Sequence, residues 1–311
     1  MALLCETLDV SRSAYYAWRR HALSPREHDN HRLMPKIRDI FWEHKRRYGA
    51  RRISNELAAR QEPCSRRRVG RLMDRLGLIA IQPRSFKPRT TDSRHSLGYS
   101  PNLLLDAAPP EAINQLWVGD ITYVPLAGGN FLYLALLMDR YSRSIVGWDL
   151  QDHMREALVL AALRAAIARR RPQPGLIHHT DRGGQYAGAE YRRMLTRAGM
   201  SQSMNRADNC YDNAFMESCF GTLKTELEMK PYENDGLARK EVAAYIRYYN
   251  IRRRHSALDY FTPEEFEARQ ATMNQPPRSA KSARQENRRV ARPSTGASSL
   301  CRSLARAKRR R

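Results

Sequence analysis

Acidic residues are the scarce class in this chain: 32 Asp and Glu face 55 Lys and Arg, leaving a formal net charge of +23 and a pI near 10.4. So basic a balance points to a polyanionic partner, and with this size and no membrane segment nucleic acid is favoured. From charge alone, a ribosome-associated or merely basic protein is the alternative. Long apolar runs are missing too. The longest, Phe131 to Met138, is far too short to cross a bilayer, and no signal-peptide pattern opens the chain. Cysteine is sparse. Cys5, Cys64, Cys210, Cys219 and Cys301 are odd in number, scattered and without CxxC spacing, which argues against a disulfide framework and a Cys-based zinc site. They read as reduced thiols, mostly buried as small apolar residues.

What is present is a stretch from Trp117 to Lys224 with three carboxylates in distinct settings. Asp120 lies in Leu116-Trp117-Val118-Gly119-Asp120-Ile121-Thr122-Tyr123-Val124, whose β-branched and aromatic residues read as a strand. Asp181 follows the apolar run Gly175-Leu176-Ile177-His178-His179-Thr180 and precedes the turn pair Gly183-Gly184. Glu217 sits in a helical pattern from about Asp212 to Met229, with Met216, Phe220, Leu223 and Leu227 along one stripe. At about 100° per residue, Asn213, Glu217, Gly221 and Lys224 share one edge of that stripe. The helix therefore packs on the sheet with a carboxylate and a lysine beside the strand ends.

Those residue types suit one chemistry. Hard cations such as Mg²⁺ take oxygen ligands, keep several waters and are usually held by a few carboxylates plus substrate phosphate. Two such ions about 3.5–4 Å apart can serve both the attacking and the leaving oxygen of an in-line displacement. Three carboxylates from separate elements suit that pair, and nothing in the sequence offers a softer site.

The segments Trp117-Val118-Gly119-Asp120-Ile121-Thr122-Tyr123, His179-Thr180-Asp181-Arg182-Gly183-Gly184-Gln185-Tyr186 and Asp212-Asn213-Ala214-Phe215-Met216-Glu217-Ser218 closely resemble the integrase core of bacterial insertion-sequence transposases. The type is the one whose catalytic protein is encoded by the second of two overlapping frames, a relative of retroviral integrases. The 35 residues between Asp181 and Glu217 match the hallmark spacing of that family's DDE triad, and Lys224 matches as well. With its flanks, the resemblance covers about residues 1–268.

The resemblance implies an α/β fold: a ribonuclease-H-like integrase core with a mixed five-stranded sheet flanked by helices, preceded by an all-α helix-turn-helix domain. It implies Asp120, Asp181 and Glu217 as catalytic residues and ligands of two Mg²⁺ (or Mn²⁺) ions, with Asp120 bridging both, Asp181 on one and Glu217 on the other. Lys224 is expected near the scissile end phosphates and Gln185 at DNA, while His179 and Asn213 support the ligands. The implied partners are double-stranded DNA, as terminal repeats and target, further copies of the chain on paired ends, and an upstream-frame helix-turn-helix product as fusion or partner. The implied compartment is the bacterial cytoplasm, at the nucleoid. No nucleotide cofactor and no covalent protein–DNA intermediate are implied. The zinc-binding His/Cys domain of retroviral integrases has no counterpart, and Cys219 stands where the family commonly has an aromatic residue.

Taken in order, residues 1–24 form a helical lead-in, with Ser11 as a helix cap and Tyr15 and Trp18 on the inner side. They read either as the tail of a longer module or as a frayed amphipathic end. Residues 25–81 form the helix-turn-helix domain, whose core candidates are Leu33, Ile37, Ile40, Phe41, Ile53, Leu57, Val69, Leu72, Met73 and Leu76, with Ser65 as N-cap and Gly77 as stop. Its third helix presents Arg66, Arg67, Arg68 and Arg71 as a groove-reading helix would, or as a solvated basic face. The run Arg46-Arg47-Tyr48-Gly49-Ala50-Arg51-Arg52-Ile53 resembles the same family. Residues 82–113 read as a basic linker, lying along DNA or serving as plain spacer.

The core, residues 114–232, opens with three strands: one through Asp120, Phe131–Met138 and Ser144–Trp148, with a turn at Gly128-Gly129-Asn130. Then come a helix over about 155–170, a strand leading to Asp181, a helix near 189–198, a strand near 200–204 and the Glu217 helix. Residues 233–270 form a C-terminal helical segment with a capping box from Thr262 to Glu265. There Asn250, Arg253 and His255 contact the DNA end or brace the core. Residues 271–311 carry twelve Lys and Arg and read as a disordered basic tail. Asp139, Asp149 and Asp152 read as ordinary turn carboxylates. The leading expectation is a transposase that cuts and joins DNA at insertion-sequence ends. The alternatives are a catalytically inactive DNA-binding protein from a decayed transposase and a non-transposing ribonuclease-H-like nuclease.

Overall fold

The computed structural model describes residues 1–19, 23–82, 98–105, 107–206 and 214–273. Asn213, most of the linker and nearly all of the basic tail lie outside the described residues. Met1–Glu267 pack as one compact unit.

Two short helices open the chain, α1 (Ala2–Thr7) and α2 (Arg12–Arg19). Ser11 caps α2 by accepting from Ala14 N at 3.1 Å. Tyr15 is half-buried, but Trp18 is exposed, contrary to its expected inward side.

Three helices follow: α3 (Pro25–Glu43), α4 (Ala50–Ala59) and α5 (Arg66–Arg75). α3 starts at a cap missed in the sequence: Ser24 accepts from Glu27 N at 3.2 Å, with Pro25 at the first helical position. Ser65 caps α5 the same way, accepting from Arg68 N, and Gly77 ends it in the left-handed region at φ +64. Leu33, Ile37, Ile40, Phe41, Ile53, Leu57, Val69, Leu72 and Met73 form the shared core, with Leu76 at its edge. Tyr48, between α3 and α4, is fully buried there.

The α/β part is a five-stranded sheet in the order β3-β2-β1-β4-β5. Its strands are β1 (Leu116–Pro125), β2 (Phe131–Asp139), β3 (Ile145–Gln151), β4 (Ile177–Thr180) and β5 (Ser201–Met204). β1, β2 and β3 form an antiparallel meander, while β4 joins β1 and β5 joins β4 in parallel, so the sheet is mixed. β3 runs three residues beyond its expected end at Trp148. Asp149 and Gln151 look like a strand's polar exit, yet they pair with Ala135 and Tyr133.

Helices cover both faces. α6 (Glu156–Arg170), the single turn α7 (Gly184–Ala187) and α8 (Ala189–Arg197) share one apolar cluster with Trp117, Ala135, Leu137 and Val146. On the other face, α9 (Ala214–Glu226) and α10 (Asp235–Ile251) share a second cluster with Val118, Val124, Leu134, Leu136 and Met138. β2 thus feeds both clusters by simple alternation, which explains its continuous apolar run. α6 lies so close that a Cβ at Gly147 would stand 2.7 Å from Ala166 Cβ and 2.9 Å from its backbone nitrogen. The last helix, α11 (Pro263–Met273), begins with the expected box: Thr262 N donates to Glu265 Oε2 at 2.8 Å, and Glu265 N donates to Thr262 Oγ1 at 3.1 Å.

Candidate active site

Strand alternation decides where Asp120 points. Trp117 belongs to the α6–α8 side, whereas Val118 and Val124 belong to the α9–α10 side. Asp120 has the parity of Val118 and Val124, so it faces α9. On β4, His178 reaches the α8 side, its Nε2 lying 2.6 Å from the Tyr191 hydroxyl. His179 faces the opposite way, and Asp181, just past the strand, shares its parity. Because β4 pairs with β1 in parallel, Asp181 leaves the sheet beside Asp120.

Glu217 is exposed in the first turn of α9, whose buried Met216, Phe220 and Leu223 press it onto the sheet. The electrostatics record the convergence. Burial raises the Asp120 carboxyl well above the usual carboxylate range, the charge of Asp181 raises it further, and Glu217 adds to both. The Ile121 amide, donating to Asp120 Oδ1 at 2.7 Å, and the Lys224 ammonium act in the other direction. Lys224 is half-buried; burial lowers its pKa, and Asp120 opposes that shift.

Glycines shape the approach on both sides. A Cβ at Gly119, next to Asp120, would stand 2.9 Å from His178 Cε1. Gly183 donates its amide to Asp181 Oδ1 at 3.0 Å, and a Cβ there would stand 2.6 Å from Gln185 Oε1. Tyr186 was not singled out in the sequence, although it ends the quoted His179–Tyr186 motif. Its hydroxyl is pushed to high pKa by burial first, then by Asp120 and Asp181, so it borders the carboxylates.

The donor set fits a hard divalent ion. Asp181 and Glu217 both add to the rise of the Asp120 carboxyl, against Lys224 and the Ile121 amide, and oxygen donors under such mutual repulsion suit that kind of cation. Among the described residues, no three His, Cys, Asp or Glu side chains are gathered tightly enough to form a ligand cluster as they stand.

His179 is buried with Nδ1 2.8 Å from Ser203 Oγ and Nε2 2.6 Å from Asn205 Oδ1, so both ring nitrogens are engaged within the sheet edge. Gln185 donates to the Met154 carbonyl at 3.2 Å and is half-buried. Asp139 is fully buried and accepts from the backbone amides of Asn114, Tyr141 and Ser142, a turn role. Cys219 is buried, its thiol pushed up to about 12 by burial, with a hydrogen bond to Tyr249 acting against the shift. Tyr249, from α10, joins the cluster around this smaller side chain.

Of the arginines assigned to DNA, Arg66, Arg67 and Arg71 are exposed on α5. Arg68 is turned back onto α3, donating to Asn30 Oδ1 at 2.7 and 2.9 Å and pairing with Asp29 at 2.8 Å. Arg253 requires a correction. It is 5% exposed, and its guanidinium donates to both oxygens of Glu226 at 2.8–3.0 Å, which leaves nothing to offer DNA. Asn250 likewise braces the core, pairing through its side-chain amide with the backbone N–H and carbonyl of Ile145 at 2.9 Å each. His255 is buried beside Arg253, with Nδ1 3.2 Å from Arg253 Nη1. The Tyr249-Asn250-x-x-Arg253-x-His255 pattern is therefore a brace.

Comparison with known proteins covers most of the chain. An HTH-like domain model matches residues 27–86, and two integrase core domain models match residues 110–210 and 198–263. An uncharacterised 31 kDa protein of insertion element IS600 from Shigella sonnei is 41% identical over 265 residues, covering 85% of this chain and 97% of that protein. The transposase for insertion sequence element IS904 of Lactococcus lactis is 42% identical over 237 residues, covering 76% of this chain and 93% of the relative. The transposase InsF for insertion sequence IS3A of Escherichia coli is 38% identical over 268 residues, covering 85% and 92%. Among solved structures, the catalytic core domain of BIV integrase aligns at 16% identity and a TM-score of 0.41, covering 52% of this chain and 99% of that one. At 38–42% identity over nearly the full length of these relatives, the chain belongs to the IS3 family of insertion-sequence transposases.

Proposed function

We propose that Asp120, Asp181 and Glu217 form the catalytic site at which this transposase cuts and joins DNA at the ends of its insertion sequence. The observation that carries the reading is the raised Asp120 carboxyl. Burial raises it most, and two carboxylates from separate elements, just past β4 and in the first turn of α9, raise it further. Carboxylates drawn from three separate elements to one place, with a lysine beside them, are the kind of group that perturbed pKa values mark at functional sites.

The three carboxylates would hold divalent Mg²⁺ or Mn²⁺, two ions in our reading. When bound, such ions supply electrostatic activation of the attacking oxygen and stabilisation of the leaving one. The chain's own groups do the remaining work. Lys224, beside Asp120, offers a cation to the phosphates of the element end, and partial burial strengthens its attraction for them. Arg66, Arg67 and Arg71 on α5 hold terminal-repeat DNA through phosphates or base edges. The half-buried Gln185 and the Tyr186 ring restrict access behind Asp181. With water as nucleophile the reaction frees an element end, and with the resulting DNA 3′-hydroxyl it joins that end to a target strand. Copies acting on paired ends and an upstream-frame fusion belong to the same proposal.

The test is metal-dependent cleavage and joining of the element's own terminal DNA, wild type against Glu217→Gln, at matched DNA occupancy. Products that need Mg²⁺ or Mn²⁺ and vanish in the variant are expected. Binding without products in both proteins would favour a catalytically inactive copy or a missing upstream-frame partner. Adding that partner separates the two.

A further inference from the structure

Glu226 closes α9 at the end opposite Glu217, and donors from two other parts of the chain converge on it. Its side chain is 7% exposed. Arg253, just past α10, donates to both carboxylate oxygens, and Tyr245 on α10 donates its hydroxyl at 3.1 Å. The remaining donors come from the helix-turn-helix part. Arg52 on α4 reaches Glu226 Oε1 at 3.3 Å, and Arg47, just before α4, donates from Nε to the Glu226 backbone carbonyl at 2.9 Å. The Arg47 guanidinium also lies over the rings of Tyr248 and Tyr245, 4.6 and 5.1 Å from their centroids.

The same seam continues on either side. Tyr48 donates its hydroxyl to the Arg252 carbonyl at 3.0 Å and accepts from Arg254 N at 2.8 Å. His44 stacks on Tyr48 at 3.7 Å, and its Nδ1 lies 3.0 Å from the Tyr248 hydroxyl. Arg254 pairs with Glu56 on α4, and Arg252 with Glu43 on α3. The segment 248–254 is thus held between the helix-turn-helix helices and the end of α9.

Two kinds of contact fix α9, and they constrain different motions. The apolar stripe of Met216, Phe220 and Leu223 holds the helix down on the sheet. Such a stripe resists lifting more than sliding, because apolar contact has little directionality. The Glu226 cluster is directional and stops the slide. Glu217 stands nine residues before Glu226, about 13 Å away along a stiff helix at ~1.5 Å per residue, so an axial shift at one end reappears at the other. Lys224 lies closer still, two residues from the anchor.

We propose that the junction of Arg47 and Arg52 with Glu226 is a positioning device through which the helix-turn-helix part sets the axial placement of Glu217 and Lys224 against Asp120 and Asp181. This rests on the triad reading above. Seating the helix-turn-helix on an element end then bears directly on where Glu217 stands. Arg47, Arg52 and Glu226 are positioning residues and touch no reacting atom.

The experiment uses the full chain and reads Mn²⁺ binding by calorimetry without DNA, so that any lost DNA contact cannot mimic the effect. The variants are Arg47→Ala with Arg52→Ala, the conservative pair Arg47→Lys with Arg52→Lys, and Glu217→Gln as reference. The alanine pair is expected to weaken Mn²⁺ binding about tenfold, the lower end for losing a group that orients a ligand. The Mn²⁺ midpoint of cleavage should rise in parallel, and the lysine pair should recover most of both. A merely structural role would lower Tm in the alanine pair and leave the Mn²⁺ midpoint within about twofold of wild type; that result overturns the proposal. Should the alanine pair fail to fold, Arg52→Met, which keeps Arg253 on Glu226, is read instead: a shift of about threefold or more supports the device and none overturns it. If Glu217→Gln binds Mn²⁺ and cleaves like wild type, the triad reading itself has failed. If Glu217→Gln loses both while the arginine variants match wild type, only the positioning proposal has.

Discussion

Replacing Arg253 by methionine separates two accounts of a basic residue by two independent readouts. In the structure the guanidinium is buried against an equally buried carboxylate, so removing it leaves Glu226 charged with Tyr245 and the more distant Arg52. Breaking a buried pair from one side typically costs about 3–5 kcal/mol, and the surviving partners argue for the lower figure, about 3 kcal/mol. At roughly 2–4 °C per kcal/mol for chains of this class, Tm should fall by about 6–12 °C in calorimetry. Glu226→Gln together with Arg253→Met removes both charges and should recover most of the loss, a coupling that a double-mutant cycle reads directly. A phosphate contact predicts the reverse pattern: unchanged Tm, and a plot of log Kd for terminal DNA against log salt that is shallower by about 0.9. An Arg253→Met protein with wild-type Tm and that shallower slope would refute the buried-brace assignment outright.

The arginines of α5 should divide in the same assay. Arg71→Ala, at an exposed position, is expected to weaken terminal-DNA binding and flatten its salt dependence by about one charge, whereas Arg68→Ala, which loses Asn30 and Asp29, should lower Tm instead. Equal effects of the two on DNA affinity would contradict the division. Mild acid should destabilise the fold through three buried histidines. Burial pushes His44, His178 and His255 down to about 4, 3 and 2, so below about pH 6.5 the unfolded chain takes up protons that the folded chain refuses. The contribution of these three sites must therefore fall as pH falls from 7 to 5, by up to roughly 5 kcal/mol, and Tm should drop across that window in Asp120→Asn protein, which lacks the opposing proton uptake of the raised Asp120 carboxyl; a flat Tm there would show that these rings are protonated in place.

Local structure was legible where a periodic pattern or a cap carried it. The apolar positions of α3, α4 and α5 follow from 3.6-residue spacing, and Ser65 and Gly77 bound α5 through chemistry written in two residues. The start of α3 was legible as well, in Ser24-Pro25-x-Glu27, but the apolar stripe that draws attention begins only at Leu33. The extent of β3 was not, because Asp149 and Gln151 are strand residues only by virtue of their partners on β2. The same limit governs charge. Arg68 and Arg253 read as cations available to DNA, yet the Asn30 amide that holds the first and the Glu226 carboxylate that holds the second sit 38 and 27 residues away, and no local pattern announces them. Three carboxylates could be nominated from strand, turn and helix context, but their meeting depends on β4 pairing with β1 in parallel, which was available only through the family resemblance.

That pairing also accounts for a meeting of carboxylates in a chain of net charge +23. β4 ends at Thr180 while β1 runs on to Pro125, so the residue that follows β4 comes out level with the middle of β1. Asp181 and Asp120 occupy those places, and the charge of Asp181 adds to the rise that burial gives the Asp120 carboxyl. The surrounding basic surface draws DNA in over distances near the Debye length of about 10 Å, but the last few ångströms set phosphate against carboxylate. Lys224 alone is a small offset among the described groups of the site. On the proposed site, the basic surroundings favour DNA while the three carboxylates oppose its phosphates, and a divalent cation held there would offset that repulsion. On that reading most of the affinity for DNA rests on residues other than the three carboxylates that would cut it.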